Sequence, residues 1–389
     1  MGLSRGEKLE RFYFGVIYGG SNSRLARVMR KVFGGLSYVF AGVVTLRHFL
    51  YAKGFFRHHT LGCQVISIGN LTVGGTGKTP VVEVFARALQ REGRKVAILS
   101  RGYKKVEHGF WKKTLDGITG RARRRPPRVV SNGRELLLDS SMSGDEPYML
   151  ASNLRDVVIL VDKNRVKSGR YAIDKTRCDT LILDDGFQYL ALKHRVEIVL
   201  VDCTNPFSNG YMLPRGLLRE PAMNIRRADF IFITKSDGGA KSAELKERLR
   251  RMNPRAEISE CLHKPQYLCN VYAAERRELD FLRGQRVAVV SGIASPDGFE
   301  GELRQLGAEI VYCRRFADHH RYTQQEVIDL INAARRGGAA MIVTTEKDAV
   351  RFPKIERLDV PVYFLRVEVQ LLSGMEDFNA CISRICFRT

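Results

Sequence analysis

The sequence predicts an α/β protein: a mostly parallel sheet with helices on both faces, a second, smaller α/β domain, and a separate helix near the amino terminus. Three observations predict it. After residue 62, short apolar runs alternate with helical stretches; one such run leads into the Gly-rich "GNLTVGGTGKTP" (69–80); and a fifteen-residue segment near the start carries no charge.

The uncharged segment comes first along the chain. "VFGGLSYVFAGVVTL" lies between Lys31 and Arg47. As a helix it spans roughly 22 Å, short of the ~30 Å hydrocarbon core of a bilayer. Val32, Leu36, Val39 and Val43, with Phe33, Phe40 and Val44 alongside, make one side bulky, whereas Gly34, Gly35, Ser37, Ala41 and Gly42 make the other small. Arg24, Arg27, Arg30 and Lys31 precede it, and Arg47, Lys53 and Arg57 follow. A signal peptide is excluded by the late start and the missing small-residue cleavage site. A monotopic helix lying in or dipping into an anionic leaflet fits best. A buried core helix and a true span are the other readings.

Charge points to the same class of partner. The chain of 389 residues has 64 Lys and Arg against 42 acids, a net +22. Residues 1–60 hold a net +8 and residues 101–135 another +8, so two short stretches hold 16 of the 22 excess charges. Clustering of this kind predicts a polyanionic partner, whether an anionic membrane, a phosphorylated substrate or nucleic acid. Nucleic acid is disfavoured, because no stacking aromatics punctuate the basic runs. The eight cysteines form no C-x-x-C pair and no zinc spacing, which fits a reducing compartment.

"CQVISI" (63–68) is a β-rich run feeding the Gly-rich loop, and "PVVEVFARALQREG" has an apolar stripe through Val81, Phe85, Ala88 and Leu89, with Pro80 where a helix would begin. "KVAILS", "DVVILV", "DTLILD", "VEIVLVD" and "DFIFIT" follow as buried strands. Strand, glycine turn and helix N-terminus form the setting in which backbone N–H groups hold phosphate. The strict pattern G-x-x-x-x-G-K-[ST] wants glycine where Thr72 stands. That change alters the start of the turn, not the cradle. The sheet is therefore expected to be P-loop NTPase-like, with nucleotide held by Thr72, Val73, Gly74, Gly75, Thr76, Gly77, Lys78 and Thr79. Thr79 can offer its hydroxyl to Mg²⁺, and the strand-end pair Asp184 and Asp185 resembles a Walker-B terminus. In the second domain "RVAVVSG", "EIVYC", "AMIVTT" and "VPVYFLRV" read as strands. The expected segments are 1–60 (docking helix), 61–277 (P-loop domain) and 278–389 (smaller α/β domain), with the boundary in the charged, strand-poor stretch at 270–280. Residues 367–389 carry no recognisable motif.

"GNLTVGGTGKTP", "SRGY" (100–103), "GDEP" (144–147), "DDGFQ" (184–188), "LPRGLLREP" (213–221), "SGIASP" (291–296), "DHH" (318–320) and "TTEKDAV" (344–350) occur in this order. Together they resemble the tetraacyldisaccharide 4'-kinase family of lipid A biosynthesis, and the likeness runs to about residue 366. The resemblance implies transfer of the γ-phosphoryl group of ATP to the 4'-hydroxyl of an acylated glucosamine disaccharide 1-phosphate, with Mg²⁺. It also implies a monomer on the cytoplasmic face of the bacterial inner membrane. Lys78 would contact the β- and γ-phosphates; Asp184 or Asp185, with Glu220, would complete the metal environment; and Asp145 with His319 would form the base pair. Asn70, Arg101 and Arg165 are weaker candidates for substrate contact. Where many relatives carry His after "DDGFQ", this chain has Tyr189, and the stretch 104–130 is more basic than the family leads one to expect. That stretch is read as an anion-binding hairpin near the substrate, with a solvated insertion as the other reading. A rival reading, a membrane-recruited GTPase switch, rests on "TKSD" (234–237), which resembles a guanine-reading motif, and on the likeness of the Gly-rich loop to that of dimeric P-loop switch proteins.

Overall fold

The computed structural model describes residues 12–20, 23–102, 125–293, 295–355 and 359–387. Most of the basic stretch 104–130 lies outside these residues. The chain forms two compact units: residues 1–101, 164–262 and 371–389 in the first, residues 102–163 and 263–370 in the second. This division differs from boundaries at 60 and 277, since the second unit takes a segment from the middle of the expected P-loop domain and the first takes the chain's end.

In the first unit, β1 (Gln64–Asn70) lies between β5 (Thr180–Asp184) and β6 (Val196–Asp202). β2 (Val96–Ser100) flanks β5, and β7 (Phe230–Thr234) flanks β6, all parallel. β8 (Glu257–Asn270) begins beside β7, also in parallel. The central strands are buried along their whole length, as continuous apolar runs demand. Helix Lys78–Arg91 covers one face through Val81, Val82, Phe85, Ala86 and Leu89. It starts two residues before Pro80, which then sits in the first turn, where a missing N–H costs nothing. The motif-free tail forms helix Met375–Cys386, and its Phe378 packs edge-on against Phe85 and Phe232.

The uncharged amino-terminal segment is the middle of a longer helix, Arg24–Ala52, of 29 residues and about 43 Å, capped by Ser23. Its length and composition suffice to cross a membrane. Five of the seven basic residues expected to flank it, Arg24, Arg27, Arg30, Lys31 and Arg47, are inside it, because arginine and lysine are good helix formers and nothing breaks the chain before Lys53; Lys53 and Arg57 follow its end. One side is docked: Phe40, Ala41 and Val44 pack on the core, and the Ser37 hydroxyl donates to the Met212 carbonyl. The other side is bare. Leu25, Val28, Val32, Leu36, Val39, Val43 and Leu46 follow one another at three- and four-residue steps, each at least half exposed.

The second unit contains a parallel row, β11 (Glu309–Arg315), β10 (Arg286–Ser291), β12 (Met341–Thr345) and β13 (Val362–Ser373). The far half of β8 pairs antiparallel with β9 (Arg276–Glu278), so the stretch expected to be strand-poor carries strands. A hairpin of β3 (Arg128–Asn132) and β4 (Val158–Val161) holds between its strands the helix Asp145–Asn153.

Candidate functional site

In the first unit the loop 71–77 connects β1 to helix Lys78–Arg91. Gly74 and Gly77 take φ of 127° and 74°, values that side-chain-bearing residues rarely adopt. A Cβ on Gly74 or Gly75 would meet nothing within 4 Å, so Gly74 is there for its conformation, and both leave open space beside the backbone. Two ties fix the loop from below. The Thr234 hydroxyl donates to the Thr76 carbonyl at 2.8 Å, and Lys235 Nζ donates to the Gly75 carbonyl at 2.7 Å and to Asp202 Oδ2 at 2.6 Å. The lysine of "TKSD" thus holds the phosphate loop in place, a task that implies no particular base. On the other flank, Val73 N–H donates to Leu217 O and Arg219 N–H to Leu71 O, both at 2.7 Å. Asn70 is buried; its amide donates to Thr72 O at 2.7 Å, so it shapes the loop, and its Oδ1 has no partner. Thr76 Oγ1 is likewise buried and unpartnered.

Lys78, first residue of the helix, donates to Asp185, and Arg219 NH1 grips both oxygens of the same carboxylate at 2.8 Å. Burial alone would raise the Asp185 carboxyl; the two cations outweigh it and hold it far below the usual carboxylate range. Asp185 has φ 56°, a conformation retained only where surroundings impose it. Asp184, at the end of β5, is turned elsewhere and accepts from the Ser100 hydroxyl at 2.9 Å. Arg165 is buried beneath it: NH2 reaches Asp184 O at 3.4 Å, the guanidinium lies over the Tyr189 ring, and Nε has no partner. Burial lowers the Arg165 pKa, while Asp184 and Asp185 counter the fall. Tyr189 therefore has a local task, since its hydroxyl accepts from Arg165 N–H at 3.0 Å. Arg101 is exposed at the end of β2.

Glu220 is buried, with three partners on one oxygen, Oε2. Asn224 at 2.7 Å, Arg227 at 3.0 Å and His48 at 3.2 Å take up its carboxylate. Among the described residues no three His, Cys, Asp or Glu side chains converge on one point. The unpartnered Thr76 hydroxyl, which can donate, and the open space beside Gly74 and Gly75 fit a nucleotide phosphate in the loop.

In the second unit Asp145, the first residue of its helix and buried, meets His319: Nδ1 is 3.1 Å from Oδ2. Two arginines join them, Arg351 through Nε at 2.8 Å and Arg321 through NH2 at 3.3 Å. Burial would raise the Asp145 carboxyl, but His319, Arg351 and Arg321 together leave it below its ordinary value. His319 is held at φ 66°, again a strained position. Its neighbour faces another way. His320 Nε2 lies 3.1 Å from both oxygens of Glu326, and its ring stacks on Phe316. Glu326 also closes the capping box with Thr323, so His320 belongs to a helix start. Residue reading missed Arg219, although it lies inside "LPRGLLREP", and Arg351, one position past "TTEKDAV".

The sequence profile of the family LpxK, tetraacyldisaccharide-1-P 4'-kinase, matches residues 29–386. A tetraacyldisaccharide 4'-kinase of Anaeromyxobacter dehalogenans (strain 2CP-C) is 39% identical over 352 residues, covering 88% of this chain and 87% of its own. One from Halothermothrix orenii is 34% identical over 97% of this chain and 98% of its own. Among solved structures, LpxK from Aquifex aeolicus in complex with ATP superposes with a TM-score of 0.70 at 28% identity, covering 92% of this chain and all of that one. The chain belongs to the tetraacyldisaccharide-1-P 4'-kinase family.

Proposed function

We propose that this chain transfers the γ-phosphoryl group of ATP to the 4'-hydroxyl of a tetraacyldisaccharide 1-phosphate. What carries the reading is the family match over residues 29–386, which includes the loop, the paired aspartates and the Asp145–His319 pair. The GTPase alternative is not favoured, because the family match and the relatives that share most of the chain are tetraacyldisaccharide 4'-kinases. Loop amides and Lys78 bind the β- and γ-phosphates, for which Lys78 exchanges its contact with Asp185. Arg219 keeps that carboxylate compensated meanwhile. Mg²⁺, held by Thr79 and by Asp184 or Asp185, would neutralise charge on the transferring group when bound. His319, oriented by Asp145, takes the proton of the attacking hydroxyl. Incubation with ATP, Mg²⁺ and the acylated disaccharide phosphate tests the proposal: a second phosphate must appear on the lipid, and a purified, folded enzyme that hydrolyses ATP without phosphorylating it would refute it.

The acylated acceptor resides in a membrane, and the bare stripe of helix Arg24–Ala52 is the surface we assign to it, at the cytoplasmic face of the inner membrane. Deleting residues 1–60 would also uncover the core beneath Phe40 and Val44, so point changes make the cleaner test. Leu36→Glu, Val39→Glu and Val43→Glu combined should leave the melting temperature unchanged, since all three are exposed. The same protein should sediment less with anionic vesicles, and KM for the lipid should rise more than kcat falls. Undiminished vesicle binding would remove this surface from the membrane contact.

A further inference from the structure

Helix Arg24–Ala52 has a second side, unlike its bare stripe. Ser37, Ala41, Val44 and His48 follow at steps of four, three and four residues, so they line up along one side of the helix. That side meets the segment that carries Arg219: Ala41 and Val44 pack on a core that includes Met212 and Leu218, and the Ser37 bond to the Met212 carbonyl is one end of the contact. Further along the helix, His48 Nε2 is 3.2 Å from Glu220 Oε2. Its Nδ1 is 3.4 Å from NH1 of Arg227, whose NH2 donates to the same Oε2 at 3.0 Å. Between these ends, the Tyr13 hydroxyl donates to the Pro214 carbonyl at 2.9 Å, and Arg215 NH1 to the Ile17 carbonyl at 2.8 Å. Arg47, beside His48, donates to the Gln188 carbonyl at 2.9 Å.

The same segment is the neighbour of the phosphate loop. Leu218 pairs antiparallel with Thr72, flanked by the two backbone bonds that join Val73 to Leu217 and Arg219 to Leu71. Gln188 adds to this, since its Nε2 donates to the Asn70 carbonyl at 3.1 Å and its Oε1 accepts from Arg219 NH1 at 3.4 Å. Residues 212–220 are therefore tied to the amino-terminal helices at 212, 214, 215 and 220, and to the loop at 217–219. Of the three groups on Glu220 Oε2, Asn224 and Arg227 come from the short helix Ala222–Arg227 that follows it. The third, His48, reaches both Glu220 and Arg227 from the amino-terminal helix. We infer that His48 is a positioning residue for ATP: from the docked side of the helix it fixes Glu220, and with it the adjoining Arg219, whose charge on Asp185 loosens that carboxylate's claim on Lys78. The inference rests on the reading of loop 71–77 as the site of ATP. With His48 removed, Arg219 is held less firmly, Asp185 keeps Lys78 more tightly, and phosphate competes for the lysine at a disadvantage. The helix then has two separable sides, a stripe for the lipid surface and a docked side that serves the nucleotide.

The test measures binding of a non-hydrolysable ATP analogue with Mg²⁺ to the full chain in detergent micelles. Neither acceptor lipid nor vesicles are present, so a membrane anchor has no task there. His48→Leu should weaken this binding by about 10-fold, the scale of one hydrogen bond to a charged partner, and should sediment with anionic vesicles as the wild type does. His48→Gln, whose amide nitrogen can take the place of Nε2, should bind with near wild-type affinity. His48→Asn, whose shorter amide reaches only the place of Nδ1, should not. The stripe variant Leu36→Glu, Val39→Glu and Val43→Glu should show the reverse pattern, reduced sedimentation with unchanged affinity. A folded His48→Leu protein with wild-type affinity overturns the inference. So does a stripe variant that weakens the analogue as much, because the effect would then belong to the helix as a whole. Should His48→Leu not fold, the Gln and Asn variants decide, and equal affinities in those two overturn it. If the wild type itself binds no analogue, it is the reading of the loop that fails, and the inference falls with it.

Discussion

Lys78→Ala should lower kcat/KM by about 10²–10³-fold or more, the scale on which a preorganised charge contact to a developing anion is lost. The structure adds that the protein should stay folded. Lys78 is one of two cations on Asp185, and Arg219 keeps its two-oxygen grip when the other is removed. The buried carboxylate is then never left alone, which is the situation that makes breaking such pairs costly. Circular dichroism and melting should therefore match the wild type while turnover collapses. A folded Lys78→Ala enzyme with near-normal turnover would overturn the phosphate-loop assignment. Arg219→Ala makes the complementary comparison: Lys78 should then stay bound to Asp185 more tightly, raising KM for ATP.

His319→Ala and Asp145→Ala should each cost ~10²–10⁴-fold in kcat, with ATP binding largely kept. Because the two groups share one oxygen–nitrogen contact, the double variant should lose little more than either single one. His320→Ala should be mild in kcat and should act on stability instead, since it removes a partner of Glu326 at a helix start. A double variant that loses the product of both single effects would mean independent roles, and a more damaging His320→Ala would move the base by one residue.

The parts of this protein that sequence made legible are those whose cause is local. A strand buried on both faces must be apolar throughout, so β2, β5 and β7 were plain. A turn at positive φ needs glycine, so the phosphate loop was plain too. β8 was not, because its far half, "LHKPQYLCN", is only partly buried and carries Pro265, which reads as loop. Helix Met375–Cys386 has no motif, yet Phe378, Cys381, Ile382 and Ile385 stand at helical spacing and are its buried face. The site divides in the same way. Lys78 and the aspartate pair announce themselves, while the roles of Arg219 and Arg351 depend on partners 34 and 206 residues away. The adjacent histidines looked equivalent; the T-x-x-E capping box at Thr323–Glu326 was the one local sign that His320 was already spoken for.

The chain's last helix has a further consequence, for the order in which the protein can be made. Phe378 completes a cluster with Phe85, Phe230 and Phe232, on the face of the sheet that the phosphate-loop helix covers. Cys381 and Ile385 are buried with it. A ribosome that has released residues 1–262 has delivered both ties of the phosphate loop, but not the side chain that seals the core behind it. Residues 263–370 can fold in the interval, leaving the nucleotide-binding unit to close last, across a gap of more than a hundred residues whose ends must first be brought together. A chain stopped at residue 370 would retain every motif by which the family is known and still lack a finished core.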